Sequence, residues 1–104
     1  MSFLVVFITA PGEAEAEKIA RVLVEEKKAA CVNIVRNVRS IYCWQGKVED
    51  EAEVLMVCKT RAELFEDLQK RVKDIHPYTV PEIIALPVAA GSADYLAWLN
   101  DVTR

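Results

Sequence analysis

The sequence predicts an α+β fold in which two strand–helix–strand passes flank a long central hairpin, with one further helix at the C-terminus. Three observations carry this expectation. A short apolar run opens the chain and is closed by Pro11-Gly12; a stretch of β-forming residues from Ala30 to Lys59 is punctuated by Gln45-Gly46; and the segments on either side of that stretch carry apolar residues at helical spacing.

The first run, Ser2 through Ala10, has no cationic flank and ends too early for a membrane span or signal peptide, so it reads as a buried strand. Ala16, Ile19, Ala20, Leu23 and Lys27 then fall on one helical face, and Glu13, Glu15 and Glu17 place negative charge near the N-terminal end of that helix. Cys31, Val32, Ile34, Val35, Val38, Ile41, Tyr42 and Trp44 favour a strand, and Glu53 to Lys59 a second one. Gln45-Gly46 suits a tight connection between them, because Gly46 is free to take positive φ.

Thr60-Arg61-Ala62-Glu63 has the pattern of a capping box, and Leu64, Leu68, Val72 and Ile75 continue a helical stripe until Pro77 stops it. Glu82 to Leu86 is a short strand ended by Pro87. Ser92 can cap a last helix whose apolar face holds Tyr95, Trp98, Leu99 and Val102. The order is that of the ferredoxin-like split βαββαβ sandwich plus a C-terminal helix: an antiparallel sheet with helices over one face and none over the other. At 104 residues and 11.7 kDa the chain is one domain, 1–104. A hairpin edge bearing Val32, Ile34 and Val38 needs a cover, and self-association into a closed homo-oligomer supplies it.

A net charge of -3 and a pI of about 5.2 argue against the basic stripe that nucleic acid or an anionic membrane requires. Cys31, Cys43 and Cys58 are odd in number and lack C-x-x-C spacing, so neither a disulfide framework nor a structural zinc site follows, and a reducing, cytoplasmic compartment fits. If the hairpin turns at Gln45-Gly46 without a bulge, the three cysteines share one sheet face by strand parity. The glycines are too scattered to cradle a phosphate, and no hydrolase or metalloprotease motif is present, so neither an enzyme nor an organic cofactor is expected.

His76-Pro77-Tyr78-Thr79-Val80-Pro81-Glu82 is the most unusual segment, two prolines stiffening a loop that carries an imidazole, a phenol and a carboxylate. His76 reads either as a cap on the helix C-terminus or as a ligand for copper or zinc. Tyr42 and Trp44, near the hairpin end, read as a subunit interface or as a stacking platform for a flat ligand. Lys59 reads as a partner for a ligand anion or as an ion pair with Glu53 or Glu82. Cys31, after two alanines, reads as a small packed hydrophobe or as a metal ligand.

Thr9-Ala10-Pro11, Ala29-Ala30-Cys31-Val32-Asn33-Ile34, Ser40-Ile41-Tyr42 with Trp44 and Gly46, Lys59-Thr60, His76-Pro77-Tyr78 with Val80-Pro81-Glu82-Ile83, and Tyr95-Leu96 with Trp98-Leu99 together resemble the CutA family of divalent-cation-tolerance proteins. The resemblance spans nearly the whole chain. It implies a tight homotrimer with PII-like architecture, a link to copper and other divalent metals, and, in animal members, to acetylcholinesterase processing. Residue by residue it carries over Cys31, Trp44, Lys59, His76, Tyr78 and Glu82. Some relatives have a Cys and a second His where this chain has Ile8 and Ile75, so His76 is what remains of that ligand set.

The expectation is a non-enzymatic homotrimer that binds a divalent cation such as Cu(II) through His76, Cys31 and Glu82, with ligands lent by a neighbouring subunit. The alternatives are a signalling trimer that takes a small anionic or aromatic metabolite in inter-subunit clefts lined by Trp44, Lys59, Tyr78 and Glu82, and a structural scaffold.

Overall fold

The computed structural model describes residues 2–104. Strand β1 (Phe3–Ala10) leads into α1 (Glu13–Glu25); β2 (Cys31–Trp44) and β3 (Lys47–Arg61) form the hairpin; a 3-10 turn (Ala62–Leu64) enters α2 (Phe65–Ile75); β4 (Ile83–Pro87) and α3 (Ala93–Val102) complete the chain. The sheet order is β2-β3-β1-β4, with every neighbouring pair antiparallel, as the split βαββαβ arrangement requires.

Alternation along the central strands decides where the core lies. Val6, Ile8 and Ala10 of β1 face the same side as Val54, Met56 and Cys58 of β3, and all six are buried beneath Ala16, Ile19, Ala20 and Leu23 of α1 and Leu68 and Val72 of α2. Each fully buried leucine among them contributes about 1.5 to 3 kcal/mol relative to exposure. The α1 face ends at Leu23. Lys27, expected on it, lies beyond the helix at φ 60, a left-handed residue that lets Lys28 N–H return to the Leu23 carbonyl at 2.8 Å.

The capping-box expectation also fails, for a reason visible in the packing. Strand β3 runs on through Arg61, so Thr60 is a fully buried strand residue whose hydroxyl donates to the Lys28 carbonyl at 2.7 Å. The helix enters through the 3-10 turn with no side-chain cap. Ser92, by contrast, does cap α3, accepting from Tyr95 N–H at 3.3 Å.

The face opposite α1 and α2 is not left without a helix. There α3 covers one end, packing Leu99 and Leu96 against Phe3, Ala30 and Val88. Arg61 fastens its C-terminus, donating from Nε to the Thr103 hydroxyl at 2.9 Å and from its terminal nitrogen to the Thr103 carbonyl at 2.7 Å. Ile84 and Leu86 of β4 stay more than half exposed on the rest of that face.

The hairpin is the longest feature, and its β-structure starts at Lys47 rather than Glu53. Because β1 pairs only with Val54 to Arg61, the arms beyond Glu53 project past the four-stranded sheet, about 20 Å at strand rise. The molecule measures 44 × 25 × 22 Å. Gln45 and Gly46 both take positive φ, 50 and 80, as a two-residue type I′ connection demands.

One irregularity sets which face the first part of β2 turns to β3. Val35 pairs with Leu55 but Val38 pairs with Glu53, so Arg36 and Asn37 together oppose Val54, with Asn37 in the left-handed region at φ 62. This bulge reverses the parity of β2. Cys31 pairs with Lys59, on the opposite face from Cys58, whereas Cys43, paired with Val48, keeps the face of Cys58; the three cysteines do not share a face.

Candidate functional site

Beyond the bulge the two hairpin faces differ in chemistry. One carries Cys43, Ile41 and Val48 with the two-pronged Arg39–Asp50 ion pair at 2.6 and 2.8 Å. The other carries Tyr42 and Trp44 from β2 and, at every second position of β3, Glu49, Glu51 and Glu53. A carboxylate row facing two aromatics lies at this end of the molecule.

The loop after α2 closes the other side. Pro77 forces the residue before it out of helical backbone, and His76 takes φ -79 and ψ 137 while its N–H still bonds the Val72 carbonyl at 2.8 Å. Its buried ring is held twice. Tyr78 N–H donates to Nδ1 at 3.0 Å, which makes Nε2 the protonated nitrogen, and Nε2 donates to the Thr9 carbonyl at 2.8 Å. Neither nitrogen keeps a lone pair for a cation. His76 thus ties the loop to the end of β1, with the rings of His76 and Tyr78 centred 4.8 Å apart.

That tie positions Tyr78. Its hydroxyl donates to Oε2 of Glu53 at 2.6 Å, and Glu53 is only 7% exposed. Burial, and then the Glu53 carboxylate that accepts its proton, push the Tyr78 phenol well above its ordinary range. Burial also raises the Tyr42 phenol, with Glu51, Glu53 and Glu49 adding to the shift. Both phenols therefore stay protonated near neutral pH, and Tyr78 donates its hydrogen to Glu53.

Between hairpin and loop lies an open cavity of about 640 Å³. Its chemistry comes from Tyr42, Trp44, Tyr78, Glu53 and Glu82, with Pro77 and Val80 as apolar wall. Among the described residues no lysine or arginine lines it, so the cavity offers oxygen acceptors and aromatic faces to a positive charge. Among the described residues no three His, Cys, Asp or Glu side chains converge as a complete metal cage. Glu53 and Glu82 supply carboxylate oxygens from one chain, a donor set suited to a hard or borderline divalent ion that completes its shell with water or a second subunit.

The structure gathers Trp44, Tyr78 and Glu82 from the expected residues, and Tyr42 with them. It separates Lys59 and Cys31. These two pair across β2 and β3 beside Val5, whereas the cavity opens at Thr9, about 13 Å further along β1. Lys59 Nζ bonds Asn33 Oδ1 and lies 4.0 Å from Cys31 Sγ, so the expected ion pair with Glu53 or Glu82 is replaced by a neutral amide partner. Glu53 was expected only as that partner. Its signal was the period-two acidic pattern at Glu49, Glu51 and Glu53, which puts one charged face on an otherwise apolar strand.

A profile of the family described as "CutA1 divalent ion tolerance protein" matches residues 4–102. "Divalent-cation tolerance protein CutA" of Thermus thermophilus is 54% identical over 99 residues, covering 95% of this chain and 96% of that protein. "Protein CutA" of Mus musculus is 48% identical over 98 residues, covering 94% of this chain and 55% of that longer protein. The crystal structure of CutA1 from Oryza sativa superposes with a TM-score of 0.97 at 44% identity, covering all of this chain and 95% of that one.

Proposed function

From the premise that this chain belongs to the CutA1 family of divalent ion tolerance proteins, we propose that it is a non-enzymatic, cytoplasmic homotrimer that binds divalent cations in the hairpin cleft. The observation that carries this reading is the Tyr78–Glu53 pair: a carboxylate held by a phenol, in a cavity that Glu82 also lines and that no lysine or arginine lines among the described residues. Glu53 and Glu82 hold the ion through oxygen, and water or a neighbouring subunit completes its shell. His76 is the brace that fixes the loop, because its two nitrogens already serve the backbone. Copper remains the strongest binder among first-row ions at such a site by the general affinity order.

The trimer reading rests on what the single chain leaves uncovered. Ile41 and Val48 on the hairpin are 63% and 78% exposed, and Ile84 and Leu86 face outward from the sheet. Burial between copies removes that apolar surface from water.

Differential scanning of metal-free protein, with its oligomeric mass measured by light scattering, tests both parts. Mn(II), Zn(II) and Cu(II) each raise the unfolding temperature of a three-chain species, and the Glu53→Gln/Glu82→Gln double variant loses the rise. A monomer, or an undiminished rise in the double variant, contradicts the reading.

A further inference from the structure

We propose that the hairpin cleft also binds organic ammonium cations, the aromatic faces of Tyr42, Trp44 and Tyr78 receiving the alkyl groups and the carboxylates of Glu53 and Glu82 the charge. This deepens the cation-binding reading by naming a second class of ligand for the same cleft, but it does not depend on a metal.

Size is the first argument. A bare divalent ion with its inner ligands needs a small fraction of the cavity, about 640 Å³, whereas this volume falls within the range of sites for small organic molecules, about 300 to 1,000 Å³. The second argument is the wall. Tyr42 and Trp44 stand two residues apart on one strand face, about 7 Å, and Tyr78 rises opposite them from the braced loop. Aromatic faces carry negative potential, and rings on separate elements around one opening attract an alkylammonium group more strongly than they attract a neutral isostere.

Charge is the third. Glu53 is nine-tenths buried, and its phenol partner neutralises none of its negative charge, because Tyr78 stays protonated. Neither lysine at the ends of β3 lines the cleft: Lys47 pairs with Trp44 at the hairpin end and Lys59 bonds Asn33 at the other, each about 20 Å along the strand from Glu53. The same fact opposes an anionic metabolite here. Trp44 and Tyr42 are 44% and 41% exposed in the single chain.

Calorimetry and indole NMR on the intact protein in metal-free buffer test this with tetramethylammonium as the probe and tert-butanol as its neutral isostere. The expected result is saturable tetramethylammonium binding that shifts the Trp44 indole resonance and weakens as salt is added. The same experiment expects at least tenfold tighter binding than tert-butanol, and at least a tenfold loss in Glu53→Gln, which keeps an acceptor for the Tyr78 hydroxyl. No saturable binding, equal binding of the neutral isostere, or an unchanged affinity in Glu53→Gln overturns the proposal. A parallel Mn(II) titration keeps the two readings apart: ammonium binding without Mn(II) binding leaves this inference standing and removes the metal reading, and the reverse removes this inference alone.

Discussion

Tyr78 donates its phenolic hydrogen to Glu53 across 2.6 Å, joining the loop after α2 to a strand that pairs with β2 on its far side. The bond closes a short mechanical circuit. His76 fixes the loop to β1 through the Thr9 carbonyl, the same ring accepts the Tyr78 N–H, and β1 runs antiparallel to β3, which carries Glu53. The cleft thus has one wall on the sheet and one on a proline-stiffened loop, and the two are tied at their base.

Tyr78→Phe breaks that circuit and leaves a mostly buried carboxylate without its donor, at a cost of about 1 to 3 kcal/mol. Guanidinium denaturation of the variant against the parent at pH 7 measures it. The phenol adds a pH signature. Its folded value lies above its unfolded value of about 10, so its stabilising contribution is complete below pH 10 and is lost as pH rises above it. A spectroscopic titration at 295 nm therefore shows Tyr78 ionising late, together with unfolding, and the Phe variant removes that late step.

Cys58 is predicted to be inert in the folded protein. It has no exposure, and burial pushes its thiol up to about 12. Because the folded value is raised, its contribution to stability is complete below the unfolded thiol range of about 8.5 and falls away between there and about pH 12. Labelling with a chromogenic disulfide at pH 8 leaves Cys58 unmodified until denaturant is added.

At the hairpin tip the two positive-φ residues give opposite predictions. Gly46→Ala places a side chain at φ 80 and costs about 1 to 2 kcal/mol of local hairpin stability. Gln45→Asn, which creates the favoured Asn-Gly turn, slows exchange of the hairpin amides by a small factor. Hydrogen exchange resolved at Tyr42 and Glu49, the next hydrogen-bonded pair in from the turn, reads both.

Leu68→Ala removes a fully buried side chain from beneath α2 and destabilises by about 2 to 5 kcal/mol. The same truncation at Leu96, only partly buried under α3, costs less. Equilibrium denaturation of the two variants compares them, and equal losses would place the main core on the wrong face of the sheet.

The fold was legible because its signals were local and periodic: apolar spacing for α1 and α2, alternation for the strands, Gly46 for the turn and Ser92 for the last cap. Thr60 misled because its capping-box neighbours lie at the end of a strand whose pairing with β1 outweighs the local preference for a helix start. The bulge at Arg36-Asn37 was not legible from alternation, although an asparagine is the residue that best tolerates φ 62 there. Without that bulge Cys31 falls on the face of Cys58 and loses Lys59 as its neighbour, whereas Tyr42 and Trp44 keep the face of Glu49, Glu51 and Glu53 through the two-residue turn. The site was therefore half readable: its residue types stood out in the sequence and the Gln45-Gly46 turn fixes which hairpin residues share a face, but the approach of the loop carrying Tyr78 and the backbone bonds that occupy His76 depend on tertiary packing.

The central claim is that cleft carboxylates, and not the imidazole, hold the cation. Calorimetric titration of the metal-stripped protein with Cu(II), run in parallel on Glu53→Gln/Glu82→Gln and on His76→Gln, tests it most directly. The account predicts saturable binding that the double carboxylate variant loses and the His76 variant retains within a few-fold; binding abolished in His76→Gln and intact in the carboxylate variant would contradict it.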